Sequence, residues 1–136
     1  MGRQTSIRKL AVQILYQAAL RPDTTIDVAG AEYLLAVDNE LETKQSAIAL
    51  AHAAWDIVTE SDAIISGHSM SWSLDRITWI DKSILRLALY EMAHTDTPNP
   101  VIINEAIELA KRFSSDDAPG FINGILGAYQ DVYRDR

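Results

Sequence analysis

The sequence predicts an all-α fold, and three observations carry that prediction. Apolar residues recur at three- and four-residue spacing, alternating apolar and polar positions are scarce, and Ala, Leu and Ile dominate the apolar set. The 136 residues are read as a single helical domain, residues 1–136, either one bundle or two tightly fused small ones, long enough to bury a real core.

The first helix is the clearest. Ile7, Leu10, Ala11, Ile14, Leu15 and Ala18 draw one face, Thr5 or Ser6 is available to cap the start, and Pro22 ends the element. Arg8, Lys9, Gln13, Tyr16 and Gln17 fall largely off that stripe. Thr24 or Thr25 opens a short second helix anchored by Tyr33, Leu34 and Val37. A long third helix is expected from about residue 43 to 66, with Ala47, Ile48, Ala51, Ala54, Trp55, Val58 and Ile65 on its apolar face. Gly67 suits the left-handed position just past its end. A short helical turn is read near Leu74 to Ile77. The next strong helix runs from about Ile80 to His94, burying Ile84, Leu85, Leu87, Ala88 and Met92, with Asp81 near its positive N-terminus. Thr-Pro-Asn-Pro at 97–100 breaks the chain and starts a helix from Val101 to Phe113, with Asn99 as a cap. Ser114, Ser115, Asp116 and Asp117 then offer caps for a last helix from Ala118 to Val132. Gly120, Gly124 and Gly127 recur along it, a row that suggests close backbone packing because each glycine costs about 1 kcal/mol of helix stability.

Composition removes several classes of function. There is no cysteine, hence no disulfide and no thiolate metal site. His52, His68 and His94 lie far apart without metal-ligand spacing, and the helical glycines lack the Lys and Ser/Thr of a phosphate-binding loop. No run approaches a membrane span and the start lacks the apolar core of a signal peptide, so a soluble cytoplasmic protein is expected. Pairs such as Glu105 with Glu108 fit a solvated helix face better than acid–base chemistry. Asn104, inside an apolar helical run, reads as a satisfied buried group or as a functional contact. No reaction and no cofactor is expected.

Charge gives the first hint of a partner. The net charge of −7 opposes nucleic-acid binding at first sight, yet its distribution is uneven. Residues 1–22 carry Arg3, Arg8, Lys9 and Arg21 with no acid, whereas residues 23–75 carry ten acids against the single base Lys44. That pattern fits a basic contact surface on an acidic body, and equally an ordinary uneven surface.

Residues 72–126 contain, in order, Trp72-Ser-Leu-Asp-Arg76-Ile, Asp81-Lys-Ser-Ile-Leu-Arg86-Leu-Ala-Leu-Tyr90-Glu91, Ile103-Asn104-Glu105-Ala106-Ile-Glu-Leu-Ala-Lys111-Arg-Phe113 and Phe121-Ile-Asn123-Gly124-Ile-Leu126. With Ala11-Val-Gln-Ile-Leu-Tyr16, this ordered set closely resembles the NusB antitermination-factor family. The resemblance implies about seven helices in two packed small bundles. It also implies an adaptor that pairs with NusE, a small-subunit ribosomal protein, to bind boxA-type single-stranded RNA. That assembly joins other Nus factors and RNA polymerase in supporting ribosomal RNA transcription.

The resemblance places RNA contacts at Arg8, Tyr16, Asp117 and Phe121; Gln4, Thr5 and Ser6 stand where family members commonly carry arginines, and Arg3 and Lys9 are expected to compensate, because phosphate contacts need charge near the backbone more than one fixed side chain. An aromatic ring can stack on an unpaired base, and Tyr16 and Phe121 fit that role or a packing role. NusE contacts are implied at Asp75, Arg76 and Asp81, where acids suit a basic ribosomal protein. Arg86, Tyr90, Asn104, Glu105 and Asn123 are assigned to maintaining the fold. The alternative is a NusB-like protein-interaction scaffold with little direct RNA binding. Family members occur as monomers and as homodimers, and either state is compatible with the sequence.

Overall fold

The structure, a computed structural model, describes residues 2–68 and 77–133. Among these residues there are seven helices and no strand: α1 (Arg3–Leu20), α2 (Ile26–Leu35), α3 (Leu41–Asp56), α4 (Val58–His68), α5 (Trp79–His94), α6 (Asn99–Phe113) and α7 (Ala118–Tyr133). The expected turn near Leu74 to Ile77, and with it Asp75 and Arg76, lies largely outside the described residues.

Two small bundles share the central helix α5. The first groups α1 with α2 and α3, the second groups α4, α6 and α7, and α5 packs against α1, α3, α4, α6 and α7. This accounts for the burial of almost every α5 side chain, including Asp81, Lys82, Ser83, Arg86 and Glu91. The core runs through both bundles: Ile14 and Leu15, Leu85, Leu89 and Met92, Ile102, Ile122 and Leu126 are all but inaccessible. Buried aliphatic side chains of this size contribute about 1.5 to 3 kcal/mol each.

Side-chain caps start two of the helices. Thr25 Oγ1 accepts from the Val28 backbone N–H at 3.2 Å, and Thr78 Oγ1 accepts from that of Asp81 at 3.2 Å, so both helices start on a threonine cap. Elsewhere the structure corrects the sequence reading. Helix α1 begins at Arg3 with Gly2 as its cap, so Thr5 is free to bond elsewhere. The expected long third helix is two helices. Ile57 leaves helical geometry at φ −111° and ψ 22°, its N–H bonding back to Ala54 O, and the chain restarts as α4. The break lets α3 pack on α1 while α4 packs on α5 and α7. Gly67 lies inside α4, not past its end. Pro98, not Asn99, occupies the cap position of α6, and Asn99 is buried as the first helical residue.

The glycine row on α7 does not mark close packing. A Cβ at Gly120, Gly124 or Gly127 would meet nothing within 4 Å. The tight approach is at Gly30 on α2, where a Cβ would lie 2.2 Å from Ile48 Cδ1 and 3.0 Å from Ile14 Cγ2. Gly124→Ala is therefore expected to stabilise the protein by about 0.5 to 1 kcal/mol, because it removes backbone freedom from the unfolded chain without a clash. A rise in the urea midpoint at unchanged slope checks this; a fall would show that α7 cannot take a side chain there.

Candidate nucleic-acid interface

Helix α1 is enclosed by α2, α3 and α5, so one apolar stripe does not describe it. Val12 is fully buried and Arg8, one turn earlier on the same side, is only 6 % exposed. Arg8 lies off the apolar stripe, yet the structure buries it. Its guanidinium grips Glu91 of α5 with two parallel bonds, Nε to Oε1 and Nη2 to Oε2, both 2.9 Å. Its remaining arm, Nη1, donates to Glu105 Oε1 of α6 at 3.2 Å. The hydrogen bond to Glu91 first, and the nearby charges of both carboxylates, hold the guanidinium above the ordinary arginine range against the opposing effect of burial. Thr5 Oγ1 donates to the same Glu105 oxygen at 2.7 Å. One network thus ties the start of α1 to α5 and α6.

Above this network lies an open groove of about 510 Å³ between α1 and α6, with Thr5, Arg8, Glu105 and Leu109 among its lining residues and Lys9, Lys111 and Arg112 supplying cations. Lys9 and Arg112 form no ion pair among the described residues, while Lys111 meets Glu108 at 3.0 Å in an exposed pair worth little. Arg3, at the start of α1, leans toward α3, where its guanidinium lies 3.5 Å from Glu42. Tyr16 is half-buried and does not line the groove; it sits two turns, about 10 Å, along α1 from Lys9.

A second hollow of about 400 Å³ brings together Ile77, Thr78 and Asp81 from the start of α5 with Ser115, Asp117 and Phe121 around the start of α7. It joins residues that the resemblance divides between two partners, Asp81 for protein and Asp117 with Phe121 for RNA. Asp81 is 7 % exposed and accepts from Ser114 Oγ at 2.7 Å, so it also locks α5 to the end of α6. Ser114 serves that lock and not as an α7 cap. The two hollows lie along one helix: from Glu105 to Arg112 is about 10 Å of α6, and the chain then turns through Ser114 and Ser115 into the second hollow.

Of the residues assigned to the fold, Arg86 ties α5 to α4 through two 2.8 Å bonds to Asp62, its guanidinium lying 5.7 Å from the Trp55 ring and 5.8 Å from that of Trp79. Asn104 and Asn123 are exposed, so neither is a buried junction. The sequence reading missed Lys111 and Arg112. The signal was present as a basic doublet in the last turn of α6, but nothing in one sequence brings that turn beside Lys9.

Among the described residues no helix is long and apolar enough to cross a membrane. The sequence profile of the NusB family matches residues 5–131. Among solved structures, NusB of T. maritima superposes with a TM-score of 0.86 at 29% identity, over 99% of this chain and 94% of that one. NusB from Aquifex aeolicus in solution gives 0.83 at 23% identity, over 100% and 95%. A structure of antitermination factors NusB and NusE in complex with dsRNA gives 0.79 at 24% identity, over 98% and 99%. A profile match over nearly the whole chain, with solved NusB structures superposing along nearly their full length, has one consequence: the chain belongs to the NusB family.

Proposed function

We propose that this chain is a non-enzymatic adaptor of transcription antitermination, which holds boxA-type single-stranded nascent RNA together with NusE and supports ribosomal RNA transcription in the cytoplasm. The observation that carries the reading is the α1–α6 groove, where Lys9, Lys111 and Arg112 from two helices converge on one opening in a protein of net charge −7. Cations gathered at one place neutralise successive phosphates, and the Phe121 ring in the adjoining hollow supplies a surface on which an unpaired base can stack. Arg8 acts here as the clamp that positions α1, while Arg3 and Lys9 meet the strand.

NusE is assigned to the Asp81 side. Asp81 and Asp117 give that hollow a negative character suited to a basic ribosomal protein, and the solved complex of a NusB with NusE and dsRNA supports a joint surface. Other Nus factors and RNA polymerase complete the assembly.

The test is anisotropy of a labelled boxA-like RNA titrated with this protein, with its own NusE and with the pair, at low and moderate salt. The pair is expected to bind more tightly than either alone and to weaken as salt rises. A pair no tighter than NusE alone would end the RNA assignment. Intact NusE binding beside that result would favour the scaffold reading, which the engagement of Thr5 with Glu105 at a position that resembles the family's arginine cluster supports.

A further inference from the structure

We propose that Glu105 selects the base held in the α1–α6 groove, favouring bases that carry an exocyclic amino group over uracil. This rests on the RNA reading above and adds to it a recognition chemistry.

The carboxylate is built for the task. Its Oε1 is saturated, accepting from Thr5 Oγ1 at 2.7 Å and Arg8 Nη1 at 3.2 Å, while Oε2 has no partner among the described residues. The side chain is 18 % exposed and lines the groove, so the unfilled oxygen belongs to a group that is mostly buried and held from two sides. Arg8 is itself fixed by two bonds to Glu91, which makes the support rigid. A lone pair left open on a carboxylate held in this way is a preorganised acceptor.

Charge sets the orientation of what enters. Lys9, Lys111 and Arg112 attract phosphates toward the groove, whereas the Glu105 carboxylate that lines the same groove repels a phosphate and accepts N–H groups. The strand therefore runs along the cations with a base edge directed toward Glu105. The groove, at about 510 Å³, has the volume of an ordinary small-ligand pocket and admits one nucleoside. Carboxylates accept from the cytosine amino group in nucleic-acid recognition, and the adenine amino group offers the same donor. Uracil offers only N3–H, flanked by two carbonyl oxygens whose lone pairs face the carboxylate.

The test measures binding of oligoadenylate, oligocytidylate and oligouridylate of about twelve residues to the full chain at one low salt concentration. The wild type is expected to bind the cytidylate and adenylate strands about tenfold more tightly than the uridylate, the scale of one hydrogen bond to a charged group. In Glu105→Gln the amide oxygen can keep the bonds from Thr5 and Arg8 while the amide nitrogen replaces Oε2 with a donor. The order should then reverse toward uridylate. Glu108→Gln, a loss of the same charge in the same groove, should leave the order unchanged. An oligocytidylate methylated twice at N4, which has lost both amino donors, should bind wild-type protein as weakly as uridylate, and this arm needs no altered protein to fold. Equal wild-type binding to all three strands, an unchanged order in a folded Glu105→Gln, reversal by Glu108→Gln, or full affinity for the methylated strand would each overturn base selection. Failure of the wild type to bind any strand, alone or paired with NusE, would instead overturn the RNA reading on which it rests.

Discussion

Arg8→Met is expected to lower stability by about 3 to 5 kcal/mol, a fall in melting temperature of roughly 10 °C or more for a domain of this size. The reason lies in what the substitution leaves behind. Glu91 is 5 % exposed, and the guanidinium that now faces it with two 2.9 Å bonds would be gone, so a desolvated carboxylate would lose two charge-assisted bonds. Glu105 would lose one of its two donors, and among the described residues the Thr5 bond would remain as the hydrogen bond from the start of α1 to Glu105. Arg8→Met combined with Glu91→Leu should recover most of the loss, because removing both charges removes the desolvation cost as well as the attraction. Urea unfolding of the two variants measures this directly. A folded Arg8→Met of near wild-type stability that had lost RNA affinity would make Arg8 a phosphate contact and not a clamp.

The same residue shows how far the sequence could be read. Ile7, Leu10, Ala11, Ile14, Leu15 and Ala18 announce a helix and are all buried, since a single stripe is enough to define an amphipathic element. A helix enclosed on several sides buries more than its stripe, and whether it is enclosed depends on partners that are distant in sequence. That is why the burial of Arg8, which lies off the stripe, is not legible in the sequence. The break at Ile57 was hidden for a related reason. Apolar periodicity continues across it, and only the different packing partners of α3 and α4 require the chain to turn. The spacing of the α7 glycines suggests a packing seam, but spacing alone does not say which face of a helix is covered. Motif order, by contrast, survives such errors, because blocks from Ala11-Val12 to Ile125-Leu126 must all occur in sequence. The family was therefore legible where the interface was not. Lys9 and Arg112 are more than a hundred positions apart, and their meeting is a property of the fold.

Replacing Lys9, Lys111 and Arg112 together by alanine is the complementary experiment, expected to change binding and spare stability. Arg112 is exposed, Lys9 is half-exposed, and the pair Lys111 makes with Glu108 is a surface one, so unfolding should shift by no more than about 0.5 kcal/mol for each. RNA affinity should fall on the order of a hundredfold, and the plot of log affinity against log salt should become shallower by about two units, since each phosphate on a single strand contributes about 0.7. An unchanged slope would place the strand elsewhere. The wild-type plot should carry a second signature of an acidic body with a local basic groove. At about 0.1 M salt the screening length is about 10 Å, so a phosphate in the groove senses mainly the three cations and their neighbours. At about 0.01 M it reaches about 30 Å and takes in acids such as Asp27, Glu32, Asp38, Glu40 and Glu42, all exposed on α2, α3 and their connection. Repulsion from that face then offsets the gain from weaker counterion competition. Affinity should rise as salt falls and then level off below about 0.02 M, where a uniformly basic RNA-binding protein would continue to tighten. Titration across that range distinguishes a local cationic groove from a field spread over the whole surface.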